Sequence, residues 1–181
     1  MPGRTARGFT LVEMMIAIAV LGLLMLAALP EIRTWMQNTQ IRTAAEGMVN
    51  GLQLARTEAV RRNTNIELEL VGVSGWNVTV GGQVIQSRPS GEGSPSAVLT
   101  VNPAGATKTT FNGLGRQVSN GDGTDPIDAI LIDSSAIDAA ASRELCITVG
   151  TGGVVRLCDP QVAAGDTRAC QPAVPAICGG P

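Results

Sequence analysis

Residues 9–29 read FTLVEMMIAIAVLGLLMLAAL, an almost wholly apolar run whose single charged side chain is Glu13. At a helical rise of about 1.5 Å per residue, this run is long enough to cross a hydrocarbon core of roughly 30 Å. The preceding residues 1–8, MPGRTARG, are polar and carry Arg4 and Arg7. Basic residues before a membrane-spanning helix predict a cytoplasmic N-terminus and an exported remainder.

A charged residue such as Glu13 is unexpected in an ordinary membrane anchor. A carboxylate at the centre of a bilayer costs about 3 kcal/mol on insertion scales. A plain signal anchor gains nothing from it, and neither does a secretory signal cleaved near Ala27 and Ala28. We therefore expect Glu13 to have a partner that offsets this cost.

The order of basic leader, glycine, aromatic residue, glutamate and long apolar run resembles the processing site of type IV prepilins and type II secretion pseudopilins. The matching residues are Gly8-Phe9-Thr10-Leu11-Val12-Glu13. The resemblance implies that a prepilin peptidase cleaves between Gly8 and Phe9 and N-methylates Phe9. It also implies that Glu13 pairs with the terminal amine of a neighbouring subunit, and that Pro30 is the family's proline near the end of the membrane stretch. Such pairing removes the cost of two unpaired charges in lipid and favours assembly.

The segment after Pro30 has the pattern of an amphipathic helix. Pro30 should kink the helix rather than end it. Beyond it, apolar residues recur at spacings of three and four, which predicts one packing face for the rest of the protein. The face consists of Ile41, Ala45, Met48, Leu52, Ala55 and Ala59. We expect one helix over residues 9–62, with Glu58 and Arg62 paired on its surface and Asn63 as its stop.

The end of this helix carries a second resemblance, to the GspH/FimT branch of the pilin-like proteins. That branch shows Leu-x-x-Ala-Arg-x-Glu-Ala, a basic pair, an asparagine and then a strand. The matching residues are Leu52, Ala55, Arg56, Glu58, Ala59, Arg61, Arg62 and Asn63. The resemblance implies a minor subunit of the pilin or pseudopilin class.

After Asn63 the hydrophobic period changes to two, which is typical of half-buried strands. The candidate strands are residues 66–70, 76–80, 84–86, 97–101, 108–111, 129–132, 145–149 and 154–157. Residues 87–96 and 113–125 are rich in Gly, Ser, Pro and Asp and are predicted to be loops. The fold class is therefore α+β, with a long N-terminal pilin helix packed on a small antiparallel β head. The strand order is left open.

This pattern divides the chain into five segments. They are a leader peptide at 1–8, a transmembrane half-helix at 9–30, an amphipathic half-helix at 31–62, a β-rich periplasmic head at 63–159 and an irregular disulfide-stapled tail at 160–181.

The four cysteines all lie near the C-terminus, at Cys146, Cys158, Cys170 and Cys178. An even number in an exported chain predicts two disulfides, for which three pairings exist. We favour Cys146 with Cys158, because they lie symmetrically about the turn at residues 150–153. Cys170 would then pair with Cys178.

The composition argues against catalysis, cofactors and metals. The chain has no histidine, so the usual catalytic triads and mixed zinc sites are excluded, and no C-x-x-C spacing occurs. An acidic group could suggest calcium but lacks the EF-hand spacing, so we interpret it as a solvated acidic loop. It comprises Asp122, Asp125, Asp128 and Asp133.

A DNA-binding role is a less favoured alternative. A subgroup of the GspH/FimT family resembles a DNA receptor with a basic Gly-Arg-x-Arg motif, and the matching stretch at residues 153–156 keeps only the last arginine. Arg143, Arg156 and Arg168 could share one surface, and Arg116 could join them. The net charge of −2, however, is not typical of a general nucleic-acid binder.

The resemblance predicts a minor type IV pilin, a structural subunit for pilus assembly or initiation at or near the tip. Its partners would be other minor and major pilins, the prepilin peptidase and the bacterial inner membrane. It would be a single-pass protein with a periplasmic head. A GspH-like minor pseudopilin of a type II secretion system and a FimT-like DNA-binding pilin are the alternatives.

Overall fold

The structure, a computed structural model, describes residues 8–163, 165–171 and 175–179. The predicted leader, except for Gly8, and parts of the predicted tail lie outside the described residues. The chain divides into two compact units, Met1–Trp35 and Met36–Pro181.

One long helix is followed by nine strands among the described residues, which confirms the α+β class. Helix α1 spans Leu11–Arg62, and a short 3₁₀ helix spans Ala176–Cys178 near the C-terminus. The strands are β1 Ile66–Val71, β2 Gly75–Val80, β3 Gln83–Arg88, β4 Ala97–Asn102, β5 Lys108–Phe111, β6 Gln117–Val118, β7 Ala129–Ser134, β8 Leu145–Val149 and β9 Val155–Cys158.

The first unit consists of the N-terminal part of helix α1. Helix α1 continues through Pro30, as predicted. No single helix in the described chain is long and apolar enough to cross a membrane. The pieces Leu11–Leu26 and Leu29–Arg62 meet that requirement, by length and composition alone, only as a bent pair. The large apolar side chains described between Phe9 and Trp35 are exposed.

The second unit contains two sheets whose neighbouring strands pair antiparallel. The first has the order β3-β2-β1-β5-β6 and the second the order β4-β7-β8-β9. Strand β6 lies inside the predicted loop 113–125, so that prediction is wrong at this point. A strand of two residues is too short to show an alternating hydrophobic pattern. Strand β6 is defined by its pairing with Thr110 and Phe111 of β5. The predicted loop 87–96 is also wrong at its start, since β3 extends to Arg88.

The core of the second unit is built on the predicted apolar face of helix α1. All six of its residues are fully buried, namely Ile41, Ala45, Met48, Leu52, Ala55 and Ala59. They share one cluster with side chains from both sheets, including Leu68 and Val78 from the first and Ile130 and Ile147 from the second. Burying a side chain such as Leu or Ile contributes about 1.5–3 kcal/mol. The packing face is therefore confirmed.

Helix α1 ends where the sequence predicts. Asn63 has a φ of 48°, the left-handed conformation that commonly follows the last helical residue. The N–H of Thr64 donates to the carbonyl of Ala59, and the N–H of Asn63 donates to that of Val60. These two bonds satisfy carbonyls that the helix end would otherwise leave unpaired.

Two glycines of helix α1 receive large side chains from the first sheet. A Cβ at Gly51 would lie 2.6 Å from Cε2 of Trp76, and one at Gly47 would overlap the guanidinium of Arg88. The indole N–H of Trp76 donates to the carbonyl of Gly47 at 3.0 Å. Trp76 and Arg88 are cross-strand partners of β2 and β3. The helix pattern did not predict this contact, because glycine gives no hydrophobic signal.

The observed disulfides differ from the pairing that we favoured from the sequence, so that prediction is wrong. Cys146 is bonded to Cys178 and Cys158 to Cys170, with Cα–Cα distances of 5.6 and 5.0 Å. Cys146 and Cys158 do face each other across β8 and β9, as their symmetry about the turn suggested. Each of them nevertheless binds a cysteine of the tail.

The physical reason is that the second sheet has two apolar faces. Ile130 and Ile147 point to the helix, whereas Ala129, Leu131 and Cys146 belong to a separate cluster. That second cluster is completed from the tail by Cys170, Ile177 and Cys178. The disulfides therefore attach the tail to the outer face of the second sheet. They do not join the neighbouring strands β8 and β9 to each other.

Trypsin should distinguish these pairings in a non-reducing digest. It cuts after Arg143, Arg156 and Arg168, so Cys146 and Cys158 fall on separate peptides while Cys170 and Cys178 share residues 169–181. We expect all three peptides to be linked together, as measured by mass spectrometry. The favoured sequence pairing would instead release 169–181 unlinked to the other two.

Reduction should separate the three peptides and serves as the control. The third possible pairing, Cys146 with Cys170 and Cys158 with Cys178, also links all three peptides. Cleavage by elastase between Cys170 and Cys178 distinguishes it from the observed pairing, because the two halves then carry different partner peptides. Any free thiol in the oxidised protein would contradict both bridges.

Candidate functional site

The predicted processing site lies at the start of helix α1. Gly8 and Phe9 precede the helix and are exposed, and a Cβ at Gly8 would meet no atom within 4 Å. Among the described residues, nothing crowds Gly8 at this bond. Cleavage there and methylation of Phe9 remain predictions.

Glu13 forms a capping box with Thr10. The N–H of Thr10 donates to Oε2 of Glu13 at 3.4 Å, and the N–H of Glu13 donates to Oγ1 of Thr10 at 3.2 Å. This reciprocal pair satisfies backbone donors that a helix start leaves free. The carboxylate also lies where the helix dipole favours negative charge.

This second role of Glu13 was not among the expectations from sequence, although the Thr-x-x-Glu spacing is the signal that predicts it. The helix start thus supplies part of the compensation that we expected from a neighbouring subunit. Its pairing with a neighbour's amine remains a prediction.

The structure brings together two of the three arginines proposed for DNA binding. Arg143 and Arg168 line a groove of about 420 Å³, together with Arg42 of helix α1. Arg156 lies in a different cleft of about 680 Å³, which also contains Asp128. The guanidinium of Arg156 donates to the carbonyl of Gln171 at 3.3 Å.

Carboxylates offset most of the positive charge at the Arg143 groove. Arg42 pairs with Glu46 at 2.8 Å, and Arg168 pairs with Asp166 at 2.9 Å. Hydrogen bonds from Arg168 lower the pKa of Asp166 to about 2, so this carboxylate is ionised at neutral pH. Asp159 also lines the groove. The groove is therefore mixed in charge.

Arg143 is the exception within this groove. Its backbone N–H donates to Oδ1 of Asn38 at 2.8 Å, and Nδ2 of Asn38 donates to the carbonyl of Ala141 at 3.1 Å. Helix α1 thus fixes the backbone on which Arg143 lies. The guanidinium itself makes no hydrogen bond or ion pair within the described residues.

Three of the four acidic residues considered for calcium have separate partners. Asp122 pairs with Lys108 at 2.7 Å, and Asp128 accepts a bond from Nδ2 of Asn102 at 2.7 Å. Asp133 accepts bonds from Ser134 and Ser142. In the described ranges, no three acidic, cysteine or histidine side chains are grouped as metal ligands.

Gly153, the first residue of the degenerate Gly-Arg-x-Arg stretch, has a packing role. Its φ is 74°, and a Cβ there would overlap the carbonyl oxygen of Gly115 and lie 3.1 Å from Nε of Arg56. That Nε donates to the same Gly115 oxygen at 3.0 Å. The turn between β8 and β9 therefore rests on the loop at residues 112–116 and on helix α1.

Comparison with known proteins begins at the N-terminus, where a prokaryotic N-terminal methylation motif matches residues 3–29. A long helix that carries this motif and continues into an antiparallel β domain defines a subunit of the pilin and pseudopilin class. The family described as Type II transport protein GspH matches residues 44–168, and the chain therefore belongs to the GspH family. Members of this family are minor type IV pilins and pseudopilins, structural subunits that assemble with other pilins or pseudopilins.

A solved structure shares the fold. It is the type IV minor pilin FimU of Pseudomonas aeruginosa strain PAO1, with 18 % identity, a TM-score of 0.51 and coverage of 70 % of this chain and 97 % of that chain. A second crystal form of FimU gives 19 % identity, a TM-score of 0.48 and coverage of 66 % and 97 %. No curated protein matches the chain in sequence.

Gly153→Ala should destabilise the second unit. The substitution forces a side chain into a left-handed conformation and against a carbonyl oxygen, which costs about 1–3 kcal/mol. We expect a clear fall in the melting temperature of the full-length chain in detergent, followed by Trp fluorescence.

The neighbouring Gly152→Ala is the matched control, since a Cβ at Gly152 meets nothing within 4 Å. It should stay within about 0.5 kcal/mol of the parent. Equal melting temperatures for the two variants would contradict the packing role of Gly153.

Proposed function

We propose that the chain is a minor type IV pilin that helps to initiate the pilus and is incorporated at or near its tip. Before assembly it is a single-pass protein of the bacterial inner membrane with a periplasmic head. The observation that carries the proposal is the exposed apolar surface around the first unit. Phe9, Leu11, Leu23 and Leu26 are each more than 60 % exposed.

A helix that is apolar all round needs an apolar environment. Each large aliphatic side chain that leaves water gains about 1.5–3 kcal/mol. Two environments meet this need, namely a lipid bilayer and a bundle of like helices. A subunit that moves from the first to the second keeps its apolar side chains covered throughout, which is the requirement for a filament subunit stored in a membrane.

Processing fits the same helix. Cleavage of the Gly8–Phe9 bond by a prepilin peptidase would leave an amine on Phe9, next to the Thr10–Glu13 capping box. In lipid, that amine and the carboxylate of a neighbouring Glu13 are each costly alone and offset each other when paired. Pairing would also fix the axial register of the subunits.

The proposal gives the chain no catalytic role. The sequence has no histidine. The carboxylate of Asp122 pairs with Lys108, and that of Asp128 accepts a hydrogen bond from Asn102, which are local structural contacts. Its partners would be other minor and major pilins, the peptidase and the inner membrane.

A minor pseudopilin of a type II secretion system is the main alternative, because the GspH family includes both kinds of subunit. Pilins and pseudopilins both assemble through the N-terminal helix. They differ in the system that they serve, which is a pilus or a type II secretion system. Deletion of the gene should reduce surface pili and twitching if the chain is a pilin. Loss of secreted enzymes with unchanged pili would replace the proposal with the pseudopilin.

Complementation with Glu13→Gln tests the assembly helix. Glutamine retains a capping-box acceptor and removes the charge, so the variant should be processed and inserted but recovered in sheared filaments at a level reduced about tenfold. Glu31→Gln, the same change outside the apolar run, should be recovered like the parent. Quantitative immunoblots of filament and membrane fractions measure both.

Intact mass provides the processing control for this experiment. The mature parent and both variants should begin at Phe9 with one extra methyl group. A mature chain beginning near Leu29 would overturn the prepilin interpretation. Normal incorporation of processed Glu13→Gln would show instead that the charge pair is dispensable.

DNA binding is a second candidate, favoured by the guanidinium of Arg143, which has no partner among the described residues and lies in the groove with Arg42 and Arg168. For this function, the full-length protein in detergent should shift duplex DNA at low salt, and its affinity should fall with added salt. Arg143→Ala should weaken the shift, while Arg116→Ala, outside this groove, should not. Absence of a shift at low salt, or an affinity that ignores salt, would exclude the candidate.

A further inference from the structure

The two tryptophans of this chain lie in contrasting environments. Trp76 is 6 % exposed and donates its indole N–H to the carbonyl of Gly47. Trp35 is 69 % exposed and follows Leu29, the last residue of the apolar run, by six positions. An indole ring is a large apolar surface whose burial contributes strongly to stability. Most of the surface of Trp35 is therefore open to whatever surrounds the first unit.

Helix α1 changes its character at the end of the apolar run. Beyond Leu29, the polar residues Glu31 and Arg33 flank Ile32 in sequence, and both are exposed. Leu29, Ile32 and Trp35 follow one another at spacings of three, so they lie on one side of the helix. Leu29 and Ile32 are 46 % and 49 % exposed. We call Leu29, Ile32 and Trp35 the Trp35 surface.

The position of Trp35 along the helix matches the interfacial layer of a membrane. If the run that ends at Leu29 fills a hydrocarbon core of about 30 Å, the Cα of Trp35 lies about 9 Å beyond that core along the helix axis. Tilt of the helix makes this depth smaller. The headgroup layer on each side is about 5–7 Å thick. Helical side chains lean towards the N-terminus, which brings the indole ring of Trp35 back to the level of the headgroups.

The chemistry of this stretch also fits the headgroup layer. Tryptophan is enriched at membrane–water interfaces, because its ring is apolar and its edge is polar. Arg33 has a long apolar stem that can lie along such a surface while its charged head stays in water. Glu31 would be costly at any deeper position in lipid. These residues therefore mark the depth at which the lipid span ends.

Lipid is favoured over a protein partner because the Trp35 surface continues a surface that lipid covers. Leu23 and Leu26 are 69 % and 67 % exposed, and Leu29 follows Leu26 by three positions on the same side of the helix. In the membrane-stored subunit proposed above, lipid surrounds this part of the helix. The headgroup layer of the same lipid then covers the Trp35 surface. A neighbouring helix can replace it only when the subunit enters a filament.

We propose that the Trp35 surface lies in the periplasmic interfacial layer of the inner membrane, and that Trp35 sets the depth of the span. Residues 9–35 extend about 40 Å as a helix, which is close to the full thickness of a bilayer with its headgroups. With Trp35 held at one surface, the Gly8–Phe9 bond is kept at the other, where the peptidase acts. Trp35 is thus a positioning residue for processing. The inference rests on the proposed function, because it concerns the membrane-stored form of the subunit.

Depth-dependent quenching tests where Trp35 lies. The uncleaved full-length chain is reconstituted, at a low protein-to-lipid ratio, in vesicles of three parts phosphatidylethanolamine and one part phosphatidylglycerol. Subtracting the emission of Trp35→Phe, which keeps only Trp76, gives the emission of Trp35. Lipids brominated near the headgroup should quench this emission several-fold more than lipids brominated near the chain end.

The outcomes separate the inference from the proposed function. Equal quenching by the two lipids, stronger quenching by the deep one, or no quenching in chains that float with the vesicles would overturn the inference. The last result is expected if protein covers Trp35. Chains that do not float with the vesicles would reject the proposed function, and the inference with it.

Cysteine labelling tests whether Trp35 sets the depth. Glu31→Cys places one thiol between the apolar run and Trp35, while the four native cysteines are paired. In spheroplasts of the host, adding Trp35→Leu extends the apolar run and should slow labelling by a membrane-impermeant maleimide several-fold, whereas Trp35→Arg should accelerate it. Trp35→Tyr keeps an interfacial aromatic ring and should match the Glu31→Cys chain. Equal labelling of all four chains would reject the depth-setting role.

Discussion

One stripe of helix α1 holds both sheets of the second unit together. Ile41, Met48 and Leu52 are fully buried, and side chains from both sheets contact the same cluster. The chain has only two phenylalanines, two tryptophans and no tyrosine, so the core depends on aliphatic packing. Aliphatic packing is effective only when the surfaces fit closely, which explains the small residues Ala45, Ala55 and Ala59 on the same face.

The close fit continues where the sheet meets the glycines of helix α1. Trp76 covers Gly51 and donates its N–H to the carbonyl of Gly47, so its large ring is buried without an unpaired donor. A similarly close contact occurs at Gly153, where the β8–β9 turn packs against the carbonyl of Gly115. At both positions a glycine allows a close contact, with an indole ring at Gly51 and with a backbone carbonyl at Gly153.

The tail of the second unit packs on the outer face of the second sheet. Antiparallel sheets commonly bury one face and leave the other to solvent, but the sheet of β4, β7, β8 and β9 has apolar residues on both faces. Ile177 and Cys178 cover its outer face. The two disulfides link this part of the tail to Cys146 of β8 and Cys158 of β9 and so constrain its position.

Local periods and spacings were enough to predict the helix, its buried stripe, its end at Asn63 and all eight candidate strands. The class of the protein was implied by the resemblance of the N-terminal motifs to a known family. Thr10 and Glu13 also had a readable spacing, because a capping box is local in sequence. Tertiary contacts decided the strand order, the existence of β6, the disulfide pairing, the seating of Trp76 on Gly51 and the separation of Arg156 from Arg143. Periodicity determines which face of each element is apolar, but only packing in three dimensions determines which distant face covers it.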